Sequence, residues 1–245
     1  MSRRRRLHVL LDALFCLAAV IAAGPGCRAD GPWSGTVAAT TDYVFRGVSQ
    51  TDGGAALQGG LNYRSPGGWF VGGWASNVAP YASGMDAAEV NLYGGYGWAL
   101  SPDWSARANY TRYLYAWDRR PAAYDYGEFS ITLGFEDRLA ASISYQPDRT
   151  AYARPGYVRD RPSSAYELTG RWPLPGHFAL IGGVGYYDLT HLYRVGYWSG
   201  SAGAGYLRGR FEVDLARFFS DRTVRRLFDD ASADGRWVAT AVWHF

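Results

Sequence analysis

The side chains able to do acid–base or nucleophilic work are few in this 245-residue sequence, which holds four histidines and two cysteines. Cleavage of a lipid ester needs a serine nucleophile, a histidine base and an orienting polar group. His177 falls in a short turn, His191 in a longer connection and His244 near the C-terminus, and no serine motif marks a partner for any of them. Cys16 and Cys27 both lie in an N-terminal leader, so the remainder has no thiol for a disulfide, a zinc site or a thiolate nucleophile. The glycines are scattered, and none form a phosphate-binding loop ahead of a helix. The expectation is a protein without catalytic, cofactor or metal residues; a lipid-modifying enzyme is the alternative to test.

A different chemistry is written in polar residues that alternate with apolar ones. Asp42, Arg46, Gln58, Asn62 and Arg64 occupy such positions in the first part of the chain, followed by Glu89, Asn91, Arg107, Asn109 and Glu128. Glu167, Arg171, Glu212, Asp214 and Arg236 continue the series. If these side chains share one face of a closed sheet, they line its interior. The acids and bases among them nearly cancel, six against five. Ion selectivity needs clusters of one sign, because mobile ions screen isolated charges over about 8 Å at physiological salt. The expectation is therefore a lumen with weak charge preference, suited to small neutral or zwitterionic hydrophilic solutes. Arg119, Arg120, Arg154, Arg159 and Arg161 would bias its mouth toward anions if they lined it.

The elements that must position these residues are strands. Trp33, Val37, Ala39, Tyr43 and Phe45 alternate with Ser34, Thr36, Thr40, Asp42 and Arg46, and Phe129, Ile131, Leu133 and Phe135 alternate with Glu128, Ser130 and Thr132. Period two is the strand signal. Twelve strands are expected near residues 34–46, 55–64, 69–78, 88–98, 104–113, 126–135, 139–146, 165–174, 178–187, 195–207, 210–219 and 235–245. Short connections, such as Ser65 to Gly68 and Arg208-Gly209, alternate with longer ones near 47–54, 79–87, 114–125, 147–164, 188–194 and 220–234. Outer-membrane barrels show this asymmetry. Past the leader no apolar run is long enough for a spanning helix, so a membrane can be crossed only by a closed barrel that pairs all its backbone groups. Most tryptophans, Trp69, Trp74, Trp98, Trp104, Trp172 and Trp198 among them, fall near expected strand ends, where membrane-interface girdles sit. The fold class is an all-β transmembrane antiparallel barrel of about twelve strands.

The leader is residues 1–29: Arg3 to Arg6, then an apolar stretch from Leu7 to Ala23, then small residues, with cleavage expected after Ala29. A retained anchor fits less well, because the stretch is short and followed by Gly24-Pro25-Gly26. Removing Arg3 to Arg6, Arg28 and Asp12 from the 25 bases, all arginine, and 22 acids leaves 20 against 21. The formal charge of +3 is thus a property of the leader, and a basic nucleic-acid-binding face has no support. Residues 30–245 form one barrel domain.

One block is specific enough to compare with a known family. Asp42-Tyr43-Val44-Phe45-Arg46-Gly47-Val48-Ser49-Gln50-Thr51-Asp52, then Ala56-Leu57-Gln58-Gly59-Gly60, then Gly68 to Val78, resembles the TorF-type porins of proteobacteria, also known as Gcw_chp. Tyr93-Gly94-Gly95-Tyr96 extends the resemblance, and Tyr113 to Asp118 departs from it. It implies an outer-membrane barrel of a Gram-negative bacterium, called a porin largely by analogy. The last strand, alternating through Trp237, Ala239, Ala241 and Trp243 to Phe245, resembles the signal read by the barrel assembly machinery. Lipid, that machinery and small hydrophilic solutes are the expected partners. Within the motif, Arg46 to Asp52 reads either as a solute-contact loop or as a tight outer hairpin held by Gly47, Gly53 and Gly54. A closed barrel serving structure or adhesion is the remaining alternative.

Overall fold

The computed structural model describes residues 31–79, 87–116, 125–153, 156–228 and 235–245. The leader and the arginines at 119, 120 and 154 lie outside them. Twelve strands close into an antiparallel barrel: β1 (Trp33–Thr40), β4 (Ala56–Arg64), β5 (Trp69–Val78), β6 (Ala87–Ala99), β7 (Trp104–Ala116) and β8 (Tyr126–Phe135), then β9 (Leu139–Ala153), β10 (Gly156–Pro173), β11 (Phe178–Leu189), β12 (Val195–Arg208), β13 (Phe211–Ser220) and β14 (Arg236–His244). Each strand pairs with its neighbour in sequence, and β1 closes on β14 through Thr36↔His244 to Thr40↔Thr240. Phe245 extends the seam, exchanging backbone hydrogen bonds with Gly35 at 2.8 and 3.0 Å. Its ring occupies the space that a Cβ at Gly35 would fill, which explains the glycine there.

Burial along the strands is inverted relative to a water-soluble protein. Leu57, Trp69, Ile131 and Trp237 are at least 60% exposed, whereas Gln58, Glu89, Arg107 and Glu212 are at most 3% exposed. Successive side chains on a strand point to opposite faces, so one face of the wall is an apolar belt and the other a polar interior. This is the arrangement a barrel needs when its outside meets hydrocarbon. Aromatic pairs brace the belt near the strand ends, as in Trp69 with Tyr96 at 5.0 Å and Trp104 with Phe135 at 4.8 Å.

Three expectations need correction. Strand β1 ends at Thr40 rather than at 46, and residues 41–55 turn into the lumen as a small hairpin of β2 (Val44–Phe45) and β3 (Val48–Ser49). Tyr43 and Phe45, expected on the outer face, therefore sit inside; the sequence alternation continues unbroken through the point where the chain leaves the wall. Trp74 is also interior, 9% exposed, because its position on β5 shares parity with Phe70 and Ser76. The connection expected at 147–164 is largely strand: β9 and β10 run on as a long hairpin with register shifts between Val158 and Ser163. Backbone pairing there includes Arg149↔Arg161 and Tyr152↔Tyr157, and such pairing does not depend on a side chain's polarity.

Candidate functional site

The site is the hairpin of residues 41–55 and the interior wall it touches. Its tip is a two-residue turn, Arg46-Gly47, with φ of 48° and 78°. Positive φ at both central residues defines the type I′ turn that matches the twist of paired strands. Glycine is required at the second position on a further ground: a Cβ on Gly47 would lie 2.6 Å from Ser199 Cβ. A second left-handed pair, Asp52-Gly53, closes the turn from Thr51 to Gly54 and returns the chain to β4.

The hairpin spans the lumen from wall to wall. At one side Tyr43 packs among Ala56, Phe70, Trp74, Val78, Ala87 and Tyr93, with its ring 5.4 Å from Trp74. Its hydroxyl donates to Glu89 at 3.2 Å, and Asn91 donates to the same carboxylate oxygen at 2.8 Å. At the other side Val48 packs among Ala165, Tyr187, Leu189, Leu192, Tyr197 and Val224; Leu192 belongs to the single helical turn α1 (Thr190–Tyr193). The Tyr197 hydroxyl donates to the Arg46 carbonyl at 3.0 Å, and Ser220 Oγ to the Gly47 carbonyl at 2.8 Å.

Charges fix both ends of the hairpin. At its base Asp42 Oδ1 accepts hydrogen bonds from Ser49 Oγ at 2.6 Å and Thr51 Oγ1 at 2.8 Å, while Oδ2 pairs with Arg236 at 2.6 Å. At its tip the Arg46 guanidinium meets Glu128 at 2.9 Å and Glu167 at 3.4 Å, and lies over the rings of Phe45 and Tyr187 at 4.7 and 5.0 Å. Glu128 is further held by Ser130 at 3.2 Å, Tyr113 at 3.4 Å and the Gln146 amide. Breaking one partner from such a buried pair costs about 3–5 kcal/mol, because the other charge is left unpaired away from water.

Others of the expected series are buried or half-buried beside polar partners or rings. Gln58 donates to Ser76 at 3.4 Å, Asn109 to Thr111 at 3.3 Å, and Asn62 accepts from the Tyr93 hydroxyl. Arg64 and Arg107 flank the Phe70 ring at 5.4 and 5.5 Å. Near the barrel end that carries the short turns, Arg171 pairs with Glu212 at 2.6 Å and Asp214 at 3.5 Å. His244 completes that cluster, its Nε2 2.9 Å from Glu212. The partner of His244, for which the sequence marks no serine, is thus a buried carboxylate. Asp42 and Arg46 are interior as expected but belong to the hairpin and not to the wall.

Sequence reasoning missed the interior tyrosines. Tyr113 stacks on Tyr126 at 4.3 Å, Arg149 lies 4.0 Å over Tyr126, and Tyr187 and Tyr197 meet edge to face at 5.8 Å. Parity was the available signal, since Tyr113 follows Arg107, Asn109 and Thr111 at intervals of two, and Tyr126 precedes Glu128 by two.

Below the hairpin tip lies a cavity of about 40 Å³, walled by Arg46, Arg107, Glu128, Glu167 and a cluster of serine and threonine hydroxyls. The block that carries this hairpin falls inside a longer match: the sequence profile of a family described as "Bacterial protein of unknown function (Gcw_chp)" aligns with residues 27–217. The chain belongs to the Gcw_chp family. No curated protein matches it. Among solved structures it is similar to the KdgM porin, with TM-score 0.53, 7% identity and coverage of 86% of this chain and 99% of that one. The NanC porin gives TM-score 0.54 and 10% identity over 86% and 97% of the two chains. An outer membrane channel from Pseudomonas putida F1 gives 0.52 and 11% over 92% and 100%. At these identities the likeness is one of fold: this Gcw_chp protein is a porin-like twelve-stranded barrel.

Proposed function

We propose that this Gcw_chp protein is a narrow outer-membrane channel for passive diffusion of small hydrophilic solutes, of the kind the TorF-type resemblance implies, with its constriction made by the hairpin of residues 41–55. The observation that carries the reading is the hairpin's position across a polar lumen. A purely structural barrel can be filled by large side chains from its own wall; here a separate segment is held at the centre by paired charges. The interior acids and arginines of the expected series nearly match in number, and several are paired with each other, as in Arg46 with Glu128 and Glu167 and Arg171 with Glu212, which supports weak discrimination by charge. The structural neighbours include a KdgM porin "in complex with disordered oligogalacturonate", a precedent for a barrel of this fold holding a hydrophilic ligand.

The test is planar-bilayer recording of the refolded protein, wild type beside Arg46→Ala. The wild type is expected to pass a small current with a reversal potential near zero in a salt gradient. Arg46→Ala leaves Glu128 and Glu167 facing the constriction uncompensated, so its current should be larger and cation-selective. Absence of current from both proteins would favour the closed structural barrel. Lipid turnover by the pure protein would favour an enzyme.

A further inference from the structure

We infer that the cavity beneath the hairpin tip is a recognition site for a neutral polyhydroxylated solute, with Arg46 as its specificity-determining residue. The inference rests on the channel reading above and names the solute class at that constriction. Arg46 is 7% exposed, and its Nε and Nη1 groups have no hydrogen-bond partner among the described residues, although its Nη2 is bound to Glu128 and Glu167. Buried donors left unpaired cost about 1–3 kcal/mol each, so an acceptor from water or solute belongs beside them. Arg46 is among the residues that wall the cavity.

The other walls define what that acceptor is attached to. Arg46 and Arg107 are matched by Glu128 and Glu167, so the cavity as a whole carries no net charge. An anion reaching Arg46 would meet two carboxylates already in place, and a cation would meet two arginines. Thr111, Ser130, Thr132, Ser142 and Ser144 contribute hydroxyls, each able both to donate and to accept. Phe45 and Tyr113 contribute aromatic surface to the same cavity. Donors, acceptors and aromatic faces without net charge complement a molecule whose hydroxyls ring an apolar C–H face, as in a neutral sugar or polyol.

The cavity's 40 Å³ holds a few water molecules. A monosaccharide fits only when the hairpin tip moves aside, its hydroxyls then replacing those waters. That movement exchanges the contacts of Arg46 with Glu128 and Glu167, and the hydrogen bonds of Tyr197 and Ser220 to the tip, for contacts with the solute.

The experiment is single-channel recording with a neutral hexose, and separately its carboxylate-bearing uronic acid, added to both chambers. The wild-type current is expected to show brief interruptions whose frequency rises with hexose concentration and which the uronic acid produces at least tenfold less often. Arg46→Ala should conduct without them. Thr132→Val, which removes one hydroxyl at nearly constant volume, should shorten the interruptions and guards against misfolding of the arginine variant. A wild-type current indifferent to hexose, equal interruption by the uronic acid, or interruptions undiminished in both variants would overturn the site while leaving the channel standing. Absence of current in every protein would remove the channel and the site together.

Discussion

Two connections at the same end of this barrel take opposite courses. The one between β1 and β4 turns inward and crosses the lumen, whereas the one between β9 and β10 continues outward as paired strands. Both are rich in polar and glycine or proline residues, so composition does not separate them. The difference lies in where their side chains find partners. Tyr43, Val44 and Val48 are at most 3% exposed against the interior walls, and Asp42 and Arg46 are answered by Arg236, Glu128 and Glu167. The outward hairpin instead keeps its backbone hydrogen bonds in an extended ladder, and Asp148 on β9 makes a half-exposed ion pair with Arg112 of β7 at 2.9 Å. A connection enters the lumen when the wall offers it both an apolar seat and opposite charges.

The largest effect should come from removing the inward course altogether. Replacing residues 43–51 by two glycines should leave a heat-modifiable barrel whose single-channel conductance is several-fold above that of the wild type. An unchanged conductance would mean that the hairpin is not the constriction. Deleting Phe245 is expected to lower the folded yield in the outer membrane strongly, through loss of the seam contact with Gly35 and of the terminal aromatic. Heat-modifiable band intensity measures this, and a normal yield would count against the assembly role.

A smaller change should follow from Gly47→Val. The left-handed backbone alone costs about 1–2 kcal/mol for a side chain, and the close approach to Ser199 adds to it. The strain falls where the tip meets β12, so the expected result is a tip displaced from the wall, seen as a noisier and larger current with little change in the thermal stability of the barrel. Shortening the outward hairpin, with residues 151–158 replaced by Asn-Gly, should leave conductance and ion selectivity as they are; a changed reversal potential would show that this hairpin reaches over the mouth.

The smallest effect concerns pH. Asp221 follows β13 and accepts backbone hydrogen bonds from Trp198 at 2.8 Å and Thr223 at 2.7 Å. Burial pushes its carboxyl up, but these bonds, together with those from the Thr223 hydroxyl and the Val224 amide, outweigh it and hold the group below the ordinary range. A carboxyl lowered in the folded state contributes its stabilisation above the unfolded value of about 3.9 and loses it as pH falls through the folded one. Amide exchange at Thr223 and Val224 should therefore quicken only in strong acid, and Asp221→Asn should remove that dependence.

Much of the fold was legible because a strand's side-chain period is two and does not depend on what it packs against. The exposed Leu57, Ile131 and Trp237 and the buried Gln58, Glu128 and Arg171 followed from counting alone, as did the twelve strands and the alternation of short and long connections. The same counting failed between Thr40 and Ala56, where alternation persists while the chain has left the wall. It also misplaced Trp74, whose size suggested an interface that its parity denies. Which charges meet was outside its reach: Arg46 and Glu128 are 82 residues apart, and Asp42 and Arg236 are 194 apart. The sequence by itself determined which residues face in and which face out, because that is a local consequence of backbone geometry. Only closure of the barrel decided that the 41–55 segment would span the lumen and that Arg46 would meet Glu128 and Glu167, because the seat and the countercharges come from distant strands that become neighbours only when β1 joins β14.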